Sequence, residues 1–240
     1  MRTLDTHLVA LTAPASFAAE QYQGLRATIE RLGRTRDARV IAVTSPAAGD
    51  GKTVTAVNLA GALARGSQDR VLLIDADLRR PSVAKLLGLE DGGAGLADVL
   101  SGSQTSVSEV VTTIDRFNLT VLPAGTPRGG VSEILRSPRL EQLIAEARRE
   151  YAWVVIDTPP LLPVFDSTLL AKLADGVLMI VAARQTPRKL LAEALNLLDA
   201  DKLLGIVFNR DERPLFGYYN SYSRYYREYF TDPSQIASGA

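Results

Sequence analysis

A chain of 240 residues with 46% hydrophobic content is long enough for one large domain and supplies a single core. Its 27 basic and 27 acidic residues cancel, so no global field draws it to nucleic acid or anionic lipid. The lack of cysteine excludes disulfides and thiolate metal sites and suits a reducing cytoplasm, and with His7 as its only histidine the chain lacks the usual metal ligand and general base. Neither an apolar leader over the first dozen residues nor a run of about 18 apolar residues is present, so no signal peptide and no direct membrane span are expected.

In chain order, Met1 to Pro14 reads as an irregular arm. A helix follows from Ser16 to about Leu32, with Phe17, Leu25, Ile29 and Leu32 along one stripe and Glu20, Gln23, Arg26, Glu30 and Arg31 polar. Gly33 and the charged stretch from Arg34 to Arg39 are expected to end it. The β-rich run Val40-Ile-Ala-Val-Thr44 and the helix-forming run from Val54 to Ala64 then flank Pro46-Ala-Ala-Gly-Asp-Gly-Lys-Thr53. A strand, a glycine-containing loop and a helix in that order form a phosphate cradle, because loop amides and the positive helix end converge on one anion. Ala48, Gly49, Asp50, Gly51, Lys52, Thr53 and Val54 are therefore the candidate nucleotide-binding residues. Gly49 and Gly51 let amides approach phosphate without a Cβ, Lys52 reaches the β and γ phosphates, and Thr53 offers its hydroxyl to Mg²⁺. Pro46 stands where the usual G-x-x-x-x-G-K-[ST] pattern begins with glycine.

Arg70-Val-Leu-Leu-Ile-Asp75 is a second buried strand. Asp75 and Asp77 at its carboxyl end are candidate site residues, or else aspartates that end strands and cap helices. Short helices broken at glycines are expected from Ser82 to Ser101, a strand over 118–123, and a helix over 138–150 with Leu140, Leu143, Ile144 and Ala147 inward. Residues 151–157 form an apolar strand ending in Asp157, the Walker B pattern, whose carboxylate orients Mg²⁺ through water opposite the phosphates. A helix over 166–174, a strand over 176–182, a helix over 187–199 with Pro187 in its first turn and a strand over 203–208 complete the alternation. Asn209 either bonds a nucleotide base or makes a turn.

Strands alternating with helices predict one α/β domain over 1–212 with a doubly wound, mostly parallel sheet. Residues 213–240 form a separate tyrosine-rich tail, expected to be flexible. The tail carries Tyr218, Tyr219, Tyr222, Tyr225, Tyr226 and Tyr229, six of the eight tyrosines. At helical or strand spacing they fall on several faces, so a core does not explain them. A docking helix, an interfacial aromatic belt, a stacking platform for single strands and a set of phosphoacceptors remain open.

Four elements in order carry a resemblance: Thr44-Ser-Pro-Ala-Ala-Gly-Asp-Gly-Lys-Thr53, Val71-Leu-Leu-Ile-Asp-Ala-Asp-Leu-Arg-Arg-Pro81, Val154-Val-Ile-Asp-Thr-Pro-Pro160 and the tyrosine cluster. From about Glu20 to Tyr229 the chain resembles the bacterial tyrosine kinases of capsule and exopolysaccharide production, with these stretches as Walker A, Walker A′, Walker B and acceptor cluster. Where that family often reads Pro-Gly-Glu-Gly-Lys, this chain has Ala48-Gly-Asp-Gly-Lys52. The resemblance implies a P-loop fold that uses ATP and Mg²⁺ to phosphorylate the six tail tyrosines in trans within a homo-oligomer. It implies Thr53, Asp75 and, through water, Asp157 around the ion, Lys52 against transition-state charge, and Asp75 or Asp77 as acceptor of the tyrosine proton.

The family's ring-forming helix reads Glu-x-x-Arg-x-x-Arg, whereas the arm and helix of residues 1–36 offer Glu20, Gln23 and Arg26 as oligomerisation residues. Gln23 cannot make the bidentate charged pair of an arginine, which leaves Glu20 and Arg26 to pair with a neighbour. A kinase domain without its own membrane segment resembles the split form of the family. That form is cytoplasmic and recruited to the inner face of the membrane by a separate transmembrane activator of the polysaccharide co-polymerase type, with no nucleic-acid partner.

Two other readings compete. A partition or cell-division ATPase would carry a signature lysine where Ala47 stands and no tyrosine-rich tail, and a non-catalytic, nucleotide-binding regulator of polysaccharide export would not need Lys52, Thr53, Asp75, Asp77 and Asp157 intact.

Overall fold

A strand covered on both faces must be apolar at every position, so the buried strands of a two-sided parallel sheet read as unbroken hydrophobic runs. The computed structural model, which describes residues 3–66, 70–89, 92–102 and 106–211, realises that pattern. Helices α1 (Val9–Thr12) and α2 (Phe17–Arg36) precede strand β1 (Val40–Thr44), and α3 (Lys52–Gly66) leads to β2 (Val71–Asp75). Three short helices, α4 (Val83–Leu86), α5 (Leu96–Leu100) and α6 (Val107–Val110), come before β3 (Thr112–Ile114) and β4 (Leu119–Leu122). Helices α7 (Val131–Leu135) and α8 (Pro138–Glu150) then lead to β5 (Trp153–Asp157). Next come α9 (Asp166–Leu173), β6 (Gly176–Ala182), α10 (Arg188–Leu195) and β7 (Leu203–Asn209).

The strands form one sheet in the order β3-β4-β2-β5-β1-β6-β7, parallel throughout except for the β3–β4 pair. Strand β3 escapes a sequence reading because it is three residues long at a sheet edge and buries only Ile114. Alternate strand residues serve opposite layers. Ile41, Val43, Leu73 and Val155 pack with Leu8, Ile29, Leu59 and Leu63 under α1 to α3, whereas Ala42, Leu72, Val154 and Ile156 pack with Leu100, Leu140, Leu143 and Leu170 under α5 to α9. Because β5 lies between β1 and β2, register pairs Val43 with Asp157 and Asp157 with Asp75. The carboxyl ends of three strands therefore deliver their loops and carboxylates to one place, the crevice where open α/β sheets bind ligands.

Several local expectations are corrected. The segment ending at Pro14 is not an irregular arm over its length: Leu8, Ala10 and Leu11 are buried and α1 packs on α3. Its anchor is Asn58, fully buried on α3, whose Oδ1 accepts the Ala10 N–H at 2.8 Å and whose Nδ2 donates to the His7 carbonyl at 2.9 Å. One helical turn has no period to read, and the contact spans 48 residues of sequence. Helix α2 begins where Ser16 Oγ accepts the Ala19 N–H at 3.2 Å, and it passes Gly33 to end at Asp37, whose φ of 51° is left-handed. Gly33 is there for space, since a Cβ at this position would stand 2.4 Å from the Trp153 ring. Of its expected stripe Ile29 is buried, but Phe17 is 49% exposed. Pro187 precedes α10 as its N-cap, and that helix stops at Leu195.

Candidate active site

The loop between β1 and α3 takes its shape from two glycines at φ of 94° (Gly49) and 92° (Gly51), a left-handed backbone that side chains oppose. Around Gly49 no atom lies within 4 Å of where a Cβ would be, so this part of the loop opens outward, and Ala48 and Gly49 are exposed. Gly51 is pressed against β7, where a Cβ would stand 2.0 Å from Asn209 Nδ2. Asp50 between them is buried: its Oδ2 accepts the Ala47 N–H at 3.2 Å and its Oδ1 the Thr186 hydroxyl at 2.7 Å. Asn209 Nδ2 donates to the Asp50 carbonyl at 2.8 Å, and Asn209 Oδ1 accepts the Arg210 N–H at 2.9 Å. Asn209, the last residue of β7, thus braces the loop. The helix takes over at once, with the Thr55 N–H on the Gly51 carbonyl at 3.0 Å and the Val54 carbonyl accepting Asn58 Nδ2 at 2.9 Å.

The first residues of α3 and the ends of β2 and β5 then share one polar cluster. Lys52 Nζ stands 2.8 Å from Asp77 Oδ2, 3.5 Å from Asp157 Oδ1 and 3.1 Å from Thr53 Oγ1. Thr53 in turn donates its hydroxyl to Asp157 Oδ2 at 2.7 Å. Asp75 is turned differently: its Oδ1 accepts the Asp77 N–H at 3.2 Å and its Oδ2 the N–H groups of Ser82 and Val83 at 3.1 and 3.0 Å. Asp75 thereby shapes the turn that presents Asp77. Burial raises the Asp157 carboxyl to about 7 against the pull of Lys52. It raises Asp75 to about 6, against the amides of Val83 and Ser82. Burial alone would lower the Lys52 ammonium, but the fields of Asp157 and Asp77 outweigh it and the net shift is upward. Asp157 Oδ1 is buried and accepts no hydrogen bond, and the Lys52 ammonium at 3.5 Å is its ion-pair partner.

Other candidates lie apart or were invisible to the sequence. The six tail tyrosines fall outside the described residues. On α2, Glu20 is exposed and Gln23 half-buried, while Arg26 is turned onto α3, its guanidinium against Gly66 and its Nε 3.7 Å from Glu30. Buried Asp166 receives Arg79 Nε at 2.7 Å and the Ser132 hydroxyl at 2.6 Å, and Arg79 Nη2 reaches Ser132 at 2.9 Å. That trio binds α7 and α9 to the turn after β2. Arg79 belongs to the Walker A′ stretch, but Ser132 and Asp166 come from separate segments in no motif, so only the fold brings the three together; the same holds for Thr186.

A family model described as an AAA domain matches residues 38–200. The chain is 34% identical over 223 residues to the tyrosine-protein kinase YwqD of Bacillus subtilis, covering 91% of this chain and 93% of that one. It is 33% identical over 219 residues to the succinoglycan biosynthesis transport protein ExoP of Rhizobium meliloti, covering 89% of this chain and 28% of that protein. The kinase domain of the Escherichia coli tyrosine kinase ETK superposes with a TM-score of 0.81 at 26% identity, over 91% of this chain and 86% of that one.

Proposed function

We propose, for a chain that belongs to the family of bacterial tyrosine-protein kinases, transfer of the γ-phosphoryl group of ATP to tyrosines of its own carboxyl-terminal cluster. The observation that supports this most is the cluster of Lys52, Thr53, Asp77 and Asp157 at the mouth of a loop with two left-handed glycines. In phosphoryl transfer, positioning and charge neutralisation do most of the catalysis. Loop amides and the α3 N-terminus would hold the phosphates, and Lys52, released from Asp77, would turn to the oxygens where negative charge develops. Asn209 stands where it could also contact the base.

A magnesium ion fits the donor set: the Thr53 hydroxyl, the Asp157 carboxylate acting through water once Lys52 has turned to the phosphates, and Asp75 at the neighbouring register position. Among the described residues no group of three or more His, Cys, Asp or Glu side chains makes a ready metal site, so phosphate oxygens would have to complete the ligand set. When bound, the ion would draw negative charge from the β and γ phosphates.

The acceptor oxygen forms a bond to the γ phosphorus as the bond to the ADP oxygen breaks, and the phenolic proton needs a base, since its ordinary pKa is about 10. Asp75 or Asp77 is the proposed acceptor of that proton: the Asp75 oxygens accept three backbone amides, and those of Asp77 accept the Arg80 N–H at 3.1 Å and the Lys52 ammonium at 2.8 Å. The acceptors are Tyr218, Tyr219, Tyr222, Tyr225, Tyr226 and Tyr229, reached in trans within a homo-oligomer in which Glu20 is the exposed member of the α2 trio. Each phosphotyrosine would add a charge of about −1.5 to −2, so a filled cluster would drive neighbouring subunits apart.

No helix among the described residues is long and apolar enough to cross a membrane. A separate transmembrane activator of the polysaccharide co-polymerase type is the proposed means of holding the protein at the inner membrane face and linking it to polysaccharide export.

The test is incubation with Mg²⁺ and γ-labelled ATP, with and without Lys52→Met, followed by mapping of the label. Label on the tail tyrosines that disappears in the variant supports the kinase. Phosphate release with unlabelled tyrosines would instead identify a positioning ATPase.

A further inference from the structure

We propose that Thr186 is a positioning residue for ATP binding: it restrains the Asp50 carboxylate, and with Asn209 it keeps the phosphate loop open to a triphosphate. The inference deepens the nucleotide-binding reading of the loop and rests on it. Asp50 carries a negative charge between the two glycines that shape the cradle, where it would oppose phosphate if free to swing. It is not free. The Thr186 hydroxyl donates to its Oδ1 at 2.7 Å and the Ala47 N–H to its Oδ2 at 3.2 Å, while Lys52 pairs with Asp77 and Asp157.

The restraint is directional. Ala182 N–H donates to Thr186 Oγ1 at 3.0 Å, which leaves the hydroxyl proton for Asp50. Asn209 Oδ1 is held by the Arg210 N–H, so its Nδ2 faces the Asp50 carbonyl. The two loops that carry these side chains are themselves joined, with the Ala183 N–H on the Asn209 carbonyl at 2.8 Å and Arg210 Nη1 on Gln185 Oε1 at 3.2 Å. Each loop also holds a non-glycine residue in the left-handed region, Arg184 at φ 60° and Arg210 at φ 58°. Such conformations persist where the surroundings over-determine them. The ends of β6 and β7 thus form a stiff abutment, and Thr186 is its point of contact with the loop's one carboxylate.

ATP titration calorimetry with Mg²⁺ on the full chain, together with steady-state kinetics, tests this. Thr186→Val removes the hydroxyl at nearly constant shape and is expected to weaken ATP binding about tenfold, the scale of a hydrogen bond to a charged group. KM for ATP should rise about as much while kcat changes far less, because Lys52, Thr53 and Asp157 are untouched. Thr186→Ser should restore affinity, and adding Asp50→Asn to Thr186→Val should recover part of the loss by removing the freed charge. A purely structural threonine would lower the melting temperature and leave affinity unchanged, with no recovery from Asp50→Asn. Wild-type affinity in Thr186→Val, or failure of Thr186→Ser to restore it, overturns the proposal. If Thr186→Val does not fold, Thr186→Ala makes the same comparison, and wild-type affinity in that variant overturns it equally. Wild-type protein that binds no ATP would overturn both this inference and the nucleotide reading beneath it.

Discussion

At the carboxyl edge of the sheet Asp75 and Asp157 lie side by side with their carboxyls pushed up by burial, whereas at the amino edge Asp175, just before β6, is held below the ordinary carboxylate range. Burial opposes ionisation at both edges but is deeper at the carboxyl edge, where Asp75 and Asp157 are fully buried while the Asp175 side chain stays 20% exposed, and the donors differ as well. Asp175 receives Arg148 at 2.7 and 2.8 Å through both oxygens, and its Oδ2 also accepts the N–H groups of Arg39 and Val40 at 2.9 and 2.8 Å. One carboxylate there has a guanidinium and two amides. At the other edge Asp77 and Asp157 share one ammonium, Asp75 relies on backbone amides, and the Asp157 oxygen facing that ammonium accepts no hydrogen bond. A fully matched aspartate fastens strands, while a cluster short of positive charge is suited to receive a cation and a nucleotide.

The largest expected effect falls on the carboxyl edge. Lys52→Met should cost about 3 kcal/mol in the transition state, or roughly a hundredfold in the rate of tyrosine labelling. A labelling rate within a few-fold of wild type would remove the functional half of the contrast.

Asp175→Asn should do the reverse, lowering stability by about 2 kcal/mol at pH 7 while leaving the labelling rate intact. Since the folded Asp175 carboxyl lies below its unfolded value, its contribution is full above the unfolded value and is lost as pH falls through the folded one. Urea-unfolding curves for wild type and Asp175→Asn should therefore separate at neutral pH and converge in acid. The carboxyl edge has the opposite sign. With Asp75 and Asp157 raised, the ligand-free fold binds more protons than the unfolded chain between their unfolded values and about 6 to 7, so these two groups lower stability as pH rises through that window.

Smaller changes sharpen the comparison. Gly33→Ala would press on Trp153 near the amino edge and should cost about 1.5 kcal/mol in unfolding free energy, with no effect on ATP affinity. Gly24→Ala, on the open side of α2 where nothing lies within 4 Å, should stabilise by about 0.5 to 1 kcal/mol. A loss of stability there would mean that this face of α2 is covered by another surface.

The contrast also marks how far sequence reading goes. Lys52, Thr53, Asp75, Asp77 and Asp157 were legible because each sits at the end of an apolar run or inside a glycine loop, where a local pattern names its place. The doubly wound sheet was legible because the central strands are hydrophobic runs broken only at their carboxyl ends. The packed first helix was not, since four residues carry no period and Asn58 reaches it from α3. Gly33 read as a helix stop because its actual neighbour, Trp153, lies 120 residues away in sequence.

By itself, then, the sequence determined the fold class, the glycine loop between β1 and α3 and the strand-end carboxylates, all of which follow from spacing within a few consecutive residues. The tertiary structure decided what each charge faces: Asp75 its own turn, Asp77 the Lys52 ammonium, Asp50 the Thr186 hydroxyl and Arg26 the end of α3. Those pairings depend on strand order and helix packing, because a side chain's partner is set by distance in space and the chain's local periodicities carry no record of it.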